Sequence, residues 1–187
     1  MSLTAEILFV NPDYLKRITQ LNGGVDEAVI VPAVILAQDK WIQQFLGTDL
    51  LNKLKNDVSG SGPTGAYATL LDNYVRKATA WWTMVELLPN LYVKLDNGGL
   101  VIRTAENTQN VTTSDLHREI ENARQNAQFY TRRMIDYIQG NQSSFPEYNS
   151  NTNFEMLPEL NVYYQNGLTI SRGADAYPEG LIDNLLR

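Results

Sequence analysis

The run from Ala28 to Val58, AVIVPAVILAQDKWIQQFLGTDLLNKLKNDV, constrains the fold more than any other stretch of the chain. It reads as a long amphipathic helix, a glycine stop and a short second helix. Pro32 suits an early helical turn, where its missing N–H costs little. Ile35, Leu36, Asp39, Trp41, Ile42, Phe45 and Leu46 then follow a near-3.6 period with one wide apolar face. Gly47 is the expected residue just past the helix, able to take a positive φ. Thr48 is expected to cap the next helix, with Asp49 near the positive end of its dipole.

The flanking sequence extends this helical reading. Ile7 to Val10 suits a strand, and Asn11-Pro12 is an N-cap followed by proline, which opens a helix expected over Pro12 to Leu21 and ended by Asn22-Gly23-Gly24. Asp26-Glu27 stand where carboxylates favour a helix start. The polar loop from Ser59 to Pro63 leads to a third helix from about Gly65. Its apolar positions Tyr67, Leu70, Leu71, Tyr74, Ala78, Trp81, Trp82, Val85 and Leu88 run to Pro89, expected to stop or kink it. From Leu91 to Thr104, β-favouring residues flank Asp96-Asn97-Gly98-Gly99, which predicts a β-hairpin. A fourth helix is expected from an N-cap at Ser114, with Asp115 in its first turn, to Gly140. It carries a narrow seam of Leu116, Ile120, Ala123, Ala127, Tyr130, Met134 and Tyr137.

Beyond Gly140 periodicity is lost to about Leu160, which predicts an extended arm. Asn161 to Ser171 carries Asn-Gly between β-favouring residues and reads as a second hairpin, and Pro178 to Leu186 as a short terminal helix. The expected fold is mainly α: a small helical bundle over residues 1–140 with a β-hairpin insertion, then a C-terminal arm over 141–187.

Composition narrows the chemistry. A chain of 187 residues without cysteine has no disulfide, thiolate or cysteine-ligated zinc, and one histidine rules out multi-histidine metal sites within one chain. The formal net charge is −6, against a surface built to hold nucleic-acid backbone. The charge is uneven: residues 1–140 hold 13 basic and 15 acidic groups, residues 141–187 hold 2 and 6, so the arm is the acidic part. No apolar run is long enough to span a bilayer and the N-terminus lacks the features of a secretory signal, so a soluble protein folding in a cytoplasm is expected.

The candidate reactive groups read better as structure. His117 lies near a helix start, where an imidazolium is disfavoured, and has no evident partner for acid–base work. Trp81-Trp82 fall in an apolar helical stripe, so core packing is expected rather than a ligand platform. Asp96-Asn97-Gly98-Gly99 lacks the ligand periodicity of a calcium loop, and neither a phosphate-binding glycine loop nor a nucleophile elbow occurs. Trp41, Phe45, Leu46, Gly47, Tyr74, Trp81, Trp82 and Tyr130 are the expected structural residues. No catalytic, metal or cofactor site is expected. Arg118, Arg124, Arg132 and Arg133 alternate with Glu119, Glu121 and Asp136, a pattern that suits a solvated face or a protein contact. Arg132, Arg133, Tyr163 and Tyr164 are the candidate partner contacts, since arginine and tyrosine dominate binding hot spots.

The order helix, glycine, helix, loop, long Trp/Tyr-rich helix, hairpin, charged helix and acidic arm resembles the head–tail connector (adaptor or neck) proteins of tailed bacteriophages, most of all those of phages and prophages of Bacteroides-type bacteria. The resemblance covers about residues 26–140. It rests on an "AQ…(W/Y)I…LG" pattern matched by Ala37-Gln38, Trp41-Ile42 and Leu46-Gly47, on Leu50-Leu51 and Leu54 after it, and on Tyr74, Ala78 and Ala80 in the long helix. It implies a non-enzymatic virion protein at the neck, assembled in the host cytoplasm as a dodecameric ring. The ring would contact the portal protein and a tail or second neck protein, and DNA would pass without specific binding. Repeated head-to-tail contacts close into such rings. The arm exceeds the compact family pattern. A helical binding or regulatory module acting as monomer or dimer is the alternative, and an enzyme with a site assembled from distant residues ranks third.

Overall fold

The computed structural model describes residues 6–96, 99–102, 112–150, 152, 153 and 155–160. The chain is mainly helical. α1 spans Pro12–Ile18, capped by the Asn11 side chain, which accepts from the Tyr14 N–H at 2.7 Å. It ends three residues before the expected Leu21, because Thr19 turns extended while its N–H and hydroxyl both bond back to the Leu15 carbonyl. α2 (Glu27–Ala37), capped by Asp26, continues through a π turn over Gln38–Ile42 into α3 (Gln43–Ser59). Pro32 sits in the second turn of α2. It is tolerated there because it is exposed and the carbonyl it leaves unpaired, that of Ala28, is at the surface.

Gly47 is buried and breaks α3 internally, with φ 75° and ψ 160°. α4 (Gly65–Leu70), a second π turn (Leu71–Val75) and α5 (Arg76–Tyr92) form one long helical run, the most buried of the bundle. Pro89 does not stop it. The helix continues one turn to Tyr92, because Leu87 is buried and Leu88 and Leu91 pack on the core from either side of the proline.

β1 (Val93–Asp96) and β2 (Gly99–Ile102) follow, antiparallel, with Val93 opposite Ile102 and Asp96 opposite Gly99. α6 (Thr113–Gly140) is the longest helix. Its N-cap is Thr112, two residues before the expected Ser114. Thr112 and Asp115 form a reciprocal capping box, which satisfies two backbone N–H groups where Ser114 would satisfy one. α6 lies along α5, burying Ala123, Ala127, Thr131, Met134, Ile135 and Ile138. Leu116, Ile120, Tyr130 and Tyr137 of the expected seam are only half-buried. The seam turns because its last turns also carry Ile135 and Ile138.

A short 3-10 turn (Gln142–Ser144) and α7 (Pro146–Ser150) follow. Phe145 is fully buried and Tyr148 nearly so, so the first part of the expected arm belongs to the core and the expected boundary at Gly140 falls inside the packed body. The expected second hairpin and terminal helix, with Tyr163 and Tyr164, lie outside the described residues.

Ile7 to Val10 forms no strand. The chain bends, burying Phe9 and Val10, and its backbone is met by a side chain: Gln38 accepts from the Phe9 N–H at 2.6 Å and donates to the Ile7 carbonyl at 3.0 Å. Gln38 is itself fully buried on the π turn, so its amide replaces the strand partner that the segment lacks.

Candidate functional site

Three features of the described surface and joints have the construction that a functional role requires. The first is the joint at Gly47. A φ of 75° with ψ of 160° is a conformation open essentially to glycine alone. A Cβ built there would meet Cδ of Pro158 at 2.8 Å, so the two halves of α3 also need glycine for space. The chain after α7 runs across this joint. The Thr48 N–H donates to the Met156 carbonyl at 3.0 Å, and the Glu159 N–H donates to the Gln44 carbonyl at 2.8 Å. Thr48 therefore does not cap in the expected way: its hydroxyl accepts from Nε2 of Gln43 at 3.0 Å. Asp49 is turned to the same segment, accepting from the Thr152 N–H at 2.7 Å, the Thr152 hydroxyl at 2.8 Å and the Ser150 hydroxyl at 2.9 Å. The Thr152 hydroxyl contributes most to holding this carboxyl below its ordinary pKa, and the Ser150 hydroxyl and the Thr152 and Asn153 N–H groups add to it.

The second feature is the stack that fixes α5. Trp41 and Trp82 lie face to face, ring centroids 3.9 Å apart and planes 8° from parallel. Trp82 is buried, and its indole N–H donates to the Thr131 hydroxyl of α6 at 2.9 Å. Trp41 is half-exposed, and its N–H donates to Glu86 at 2.7 Å beside Lys40, which donates to the same oxygen at 2.9 Å. Phe45, Leu46 and Gly47 are buried, whereas Tyr74, Trp81 and Tyr130 are half-exposed and border the surface. Trp81 forms part of a groove of about 700 Å³ between the α1–α2 connection, α5 and the first half of α6. Leu21, Met84, Leu88 and Leu91 line it with Trp81, and Asn122, Gln125 and Glu119 stand among its polar residues.

The third feature is an aromatic face on the second half of α6. Tyr74 and Tyr137 stack with centroids 4.5 Å apart, and Phe129 packs edge-on to Tyr130 at 5.3 Å. The Arg133 guanidinium lies 5.6 Å from the Tyr74 ring centre and 5.8 Å from that of Phe129. Arg132 pairs with Asp136 at 3.5 Å, so the two expected contact arginines differ: one is matched within its own helix, and the other sits among rings. On the neighbouring side, burial raises the pKa of Tyr14 on α1, opposed by the nearby Arg76.

Several contributors gave little sign of themselves in the sequence. Thr79, Thr83 and Thr131 are polar yet fully buried, each donating to the carbonyl one turn back at 2.8 Å. Tyr67 donates to Glu147 of α7, and burial followed by this bond raises its pKa well above the usual phenol range. His117 is exposed on α6. Among the described residues no group of three metal-ligating side chains comes together, and no helix is long and apolar enough to cross a membrane.

Among the described residues, fold and surfaces define a helical protein organised around a glycine joint that residues 150–159 close, with an aromatic face left open. The chain belongs to DUF6712, a family of unknown function, whose model matches residues 42–156. That span runs from the end of the first π turn to Met156, the residue whose carbonyl receives the Thr48 N–H across the joint. No curated protein and no solved structure matches the chain.

Proposed function

We propose that this protein is a structural component of a phage-type virion, a head–tail connector that assembles as a ring on the portal, extends the DNA channel and presents a surface to the tail. The observation that carries the reading is the helix–glycine–helix joint. The residues on which the resemblance rests are the ones that build it: Ala37, Gln38, Ile42, Leu46, Gly47, Leu50, Leu51 and Leu54 are all buried, and Trp41 stacks on the long helix that carries Tyr74, Ala78 and Ala80. The β1–β2 pair, inserted between the two longest helical runs, offers backbone edges that a neighbouring subunit can meet. The net charge of −6 suits a channel wall along which DNA slides without adhering.

Light scattering coupled to size exclusion tests the reading, on the full chain alone and mixed with the portal protein of the same phage genome. Joining the portal as a ring-sized complex is the expected result. A chain that stays separate from portal and tail proteins at high concentration refutes it. The groove lined by Leu21, Trp81, Met84, Leu88 and Leu91 favours one other reading, a monomeric or dimeric helical binding module, and that result would put it first.

A further inference from the structure

We propose that the aromatic face of α6, centred on Phe129 and Arg133, is a docking site for the acidic, leucine-rich segment 174–186 of a neighbouring copy of this chain. The inference rests on the ring reading and names the contact that would join adjacent subunits.

The face has the composition of an interface: Tyr74, Tyr130 and Tyr137 pack partly on the core, and Phe129 stands outside that packing among the described residues. Phe129 is 58% exposed, the second most exposed large hydrophobic side chain among the described residues, and it sits in the middle of α6 rather than at a frayed end. Around it Tyr74, Tyr130 and Tyr137 are half-buried. Aromatic side chains with arginine are the residues that dominate binding energy when covered. The charges on this face do not cancel. Arg132 is matched by Asp136 and Arg76 by Asp72, whereas Arg133 meets only the Tyr74 and Phe129 rings among the described residues. The face thus carries one surplus positive charge over an apolar floor.

The chain itself supplies the complement. Residues 174–186, ADAYPEGLIDNLL, carry Asp175, Glu179 and Asp183 with no basic residue, interleaved with Tyr177, Leu181, Ile182, Leu185 and Leu186. Apolar side chains suit the ring floor, and carboxylates suit Arg133. The described chain ends at Leu160, so fourteen residues separate it from Asp175. Such a stretch reaches up to about 50 Å, enough to cross to an adjacent subunit. The groove between α5 and α6 suits this segment less, since its charged lining residue is Glu119. Contacts in which one surface of each copy receives a different surface of the next are the kind that close a ring.

The test uses the full chain with the photoreactive residue benzoylphenylalanine in place of Phe129, mixed as isotopically light and heavy copies, alone and with the portal protein. Irradiation and peptide mass spectrometry are expected to find mixed-isotope cross-links from position 129 to residues 174–186. Arg133→Glu is expected to lower their yield several-fold, and Glu179→Lys with Asp183→Lys in the same chain to restore it. Cross-links confined within single copies, cross-links to the portal protein instead, or none to this segment would each overturn the proposal. Ring-sized assembly with the portal is read from the same samples by mass, so a ring that forms without this cross-link refutes the docking contact and leaves the connector reading standing.

Discussion

Replacing Gly47 by alanine tests the joint on which the structure and the proposed function both rest. An L-residue at φ 75° and ψ 160° occupies a region that costs about 1–3 kcal/mol. The new methyl would also lie 2.8 Å from Cδ and 3.3 Å from the backbone nitrogen of Pro158, too close for either to stay in place. The cheapest relief is to lift the 156–159 segment. That breaks the Thr48 N–H bond to Met156 and the Glu159 N–H bond to Gln44, each worth about 0.5–1.5 kcal/mol, and leaves the buried Thr48 N–H without a partner. We expect Gly47→Ala to lower stability by about 2–4 kcal/mol, measured by urea unfolding with linear extrapolation. Pro158→Ala removes the atom that clashes but not the backbone strain, so Gly47→Ala with Pro158→Ala should recover part of the loss and no more. A loss below about 0.5 kcal/mol for Gly47→Ala alone would refute the argument, because neither strain nor clash could then be real.

Three further outcomes are expected. Thr131→Val leaves the Trp82 indole N–H unpaired in the core and should cost about 1–3 kcal/mol, whereas an unchanged urea midpoint would mean that the N–H finds another partner. Gln38→Leu removes both bonds to the N-terminal segment, so hydrogen exchange at the Phe9 amide should accelerate sharply while the Trp82 indole stays protected; equal protection in both proteins would refute the tethering role. Asp49 has a lowered pKa in the folded state, so its contribution is complete above the ordinary carboxylate value of about 3.9 and fades only as pH falls through the lower folded value. The Thr152 amide resonance should therefore titrate with a midpoint below that of an unpaired aspartate, and a midpoint at or above it would remove Asp49 from the closure of the joint.

Local residue pattern was enough to set the helical character of the chain and the position of its break. Apolar spacing placed α2, α5 and α6, Asn11-Pro12 placed the start of α1, and glycine between two helical patterns placed the joint, because period and capping are local properties that need no partner. How the joint is used depends on contacts between segments far apart in the chain. Gly47 is required as much by Pro158, far along the chain, as by its own φ; the Thr48 hydroxyl accepts from Gln43 instead of capping, the Thr48 N–H donates to Met156, and Asp49 accepts from Ser150 and Thr152. The same holds for the polar core. Gln38, Thr79, Thr83 and Thr131 are indistinguishable from surface residues in a sequence; Thr79 and Thr83 enter the core satisfied by their own helix, whereas Gln38 and Thr131 meet the Ile7–Phe9 backbone and the Trp82 indole, partners that exist only after packing. Pro89 marked an end that the packing of Leu87, Leu88 and Leu91 overrode, and Phe145 and Tyr148 lay in what reads as irregular polar chain until Tyr67 of α4, Tyr137 of α6 and the α3 helix gave them somewhere to go. The face of Phe129 and Arg133 is a tertiary product too. The i,i+4 spacing to Asp136 already sets Arg132 apart from Arg133, and packing then brings Tyr74 from another helical run against the Arg133 guanidinium.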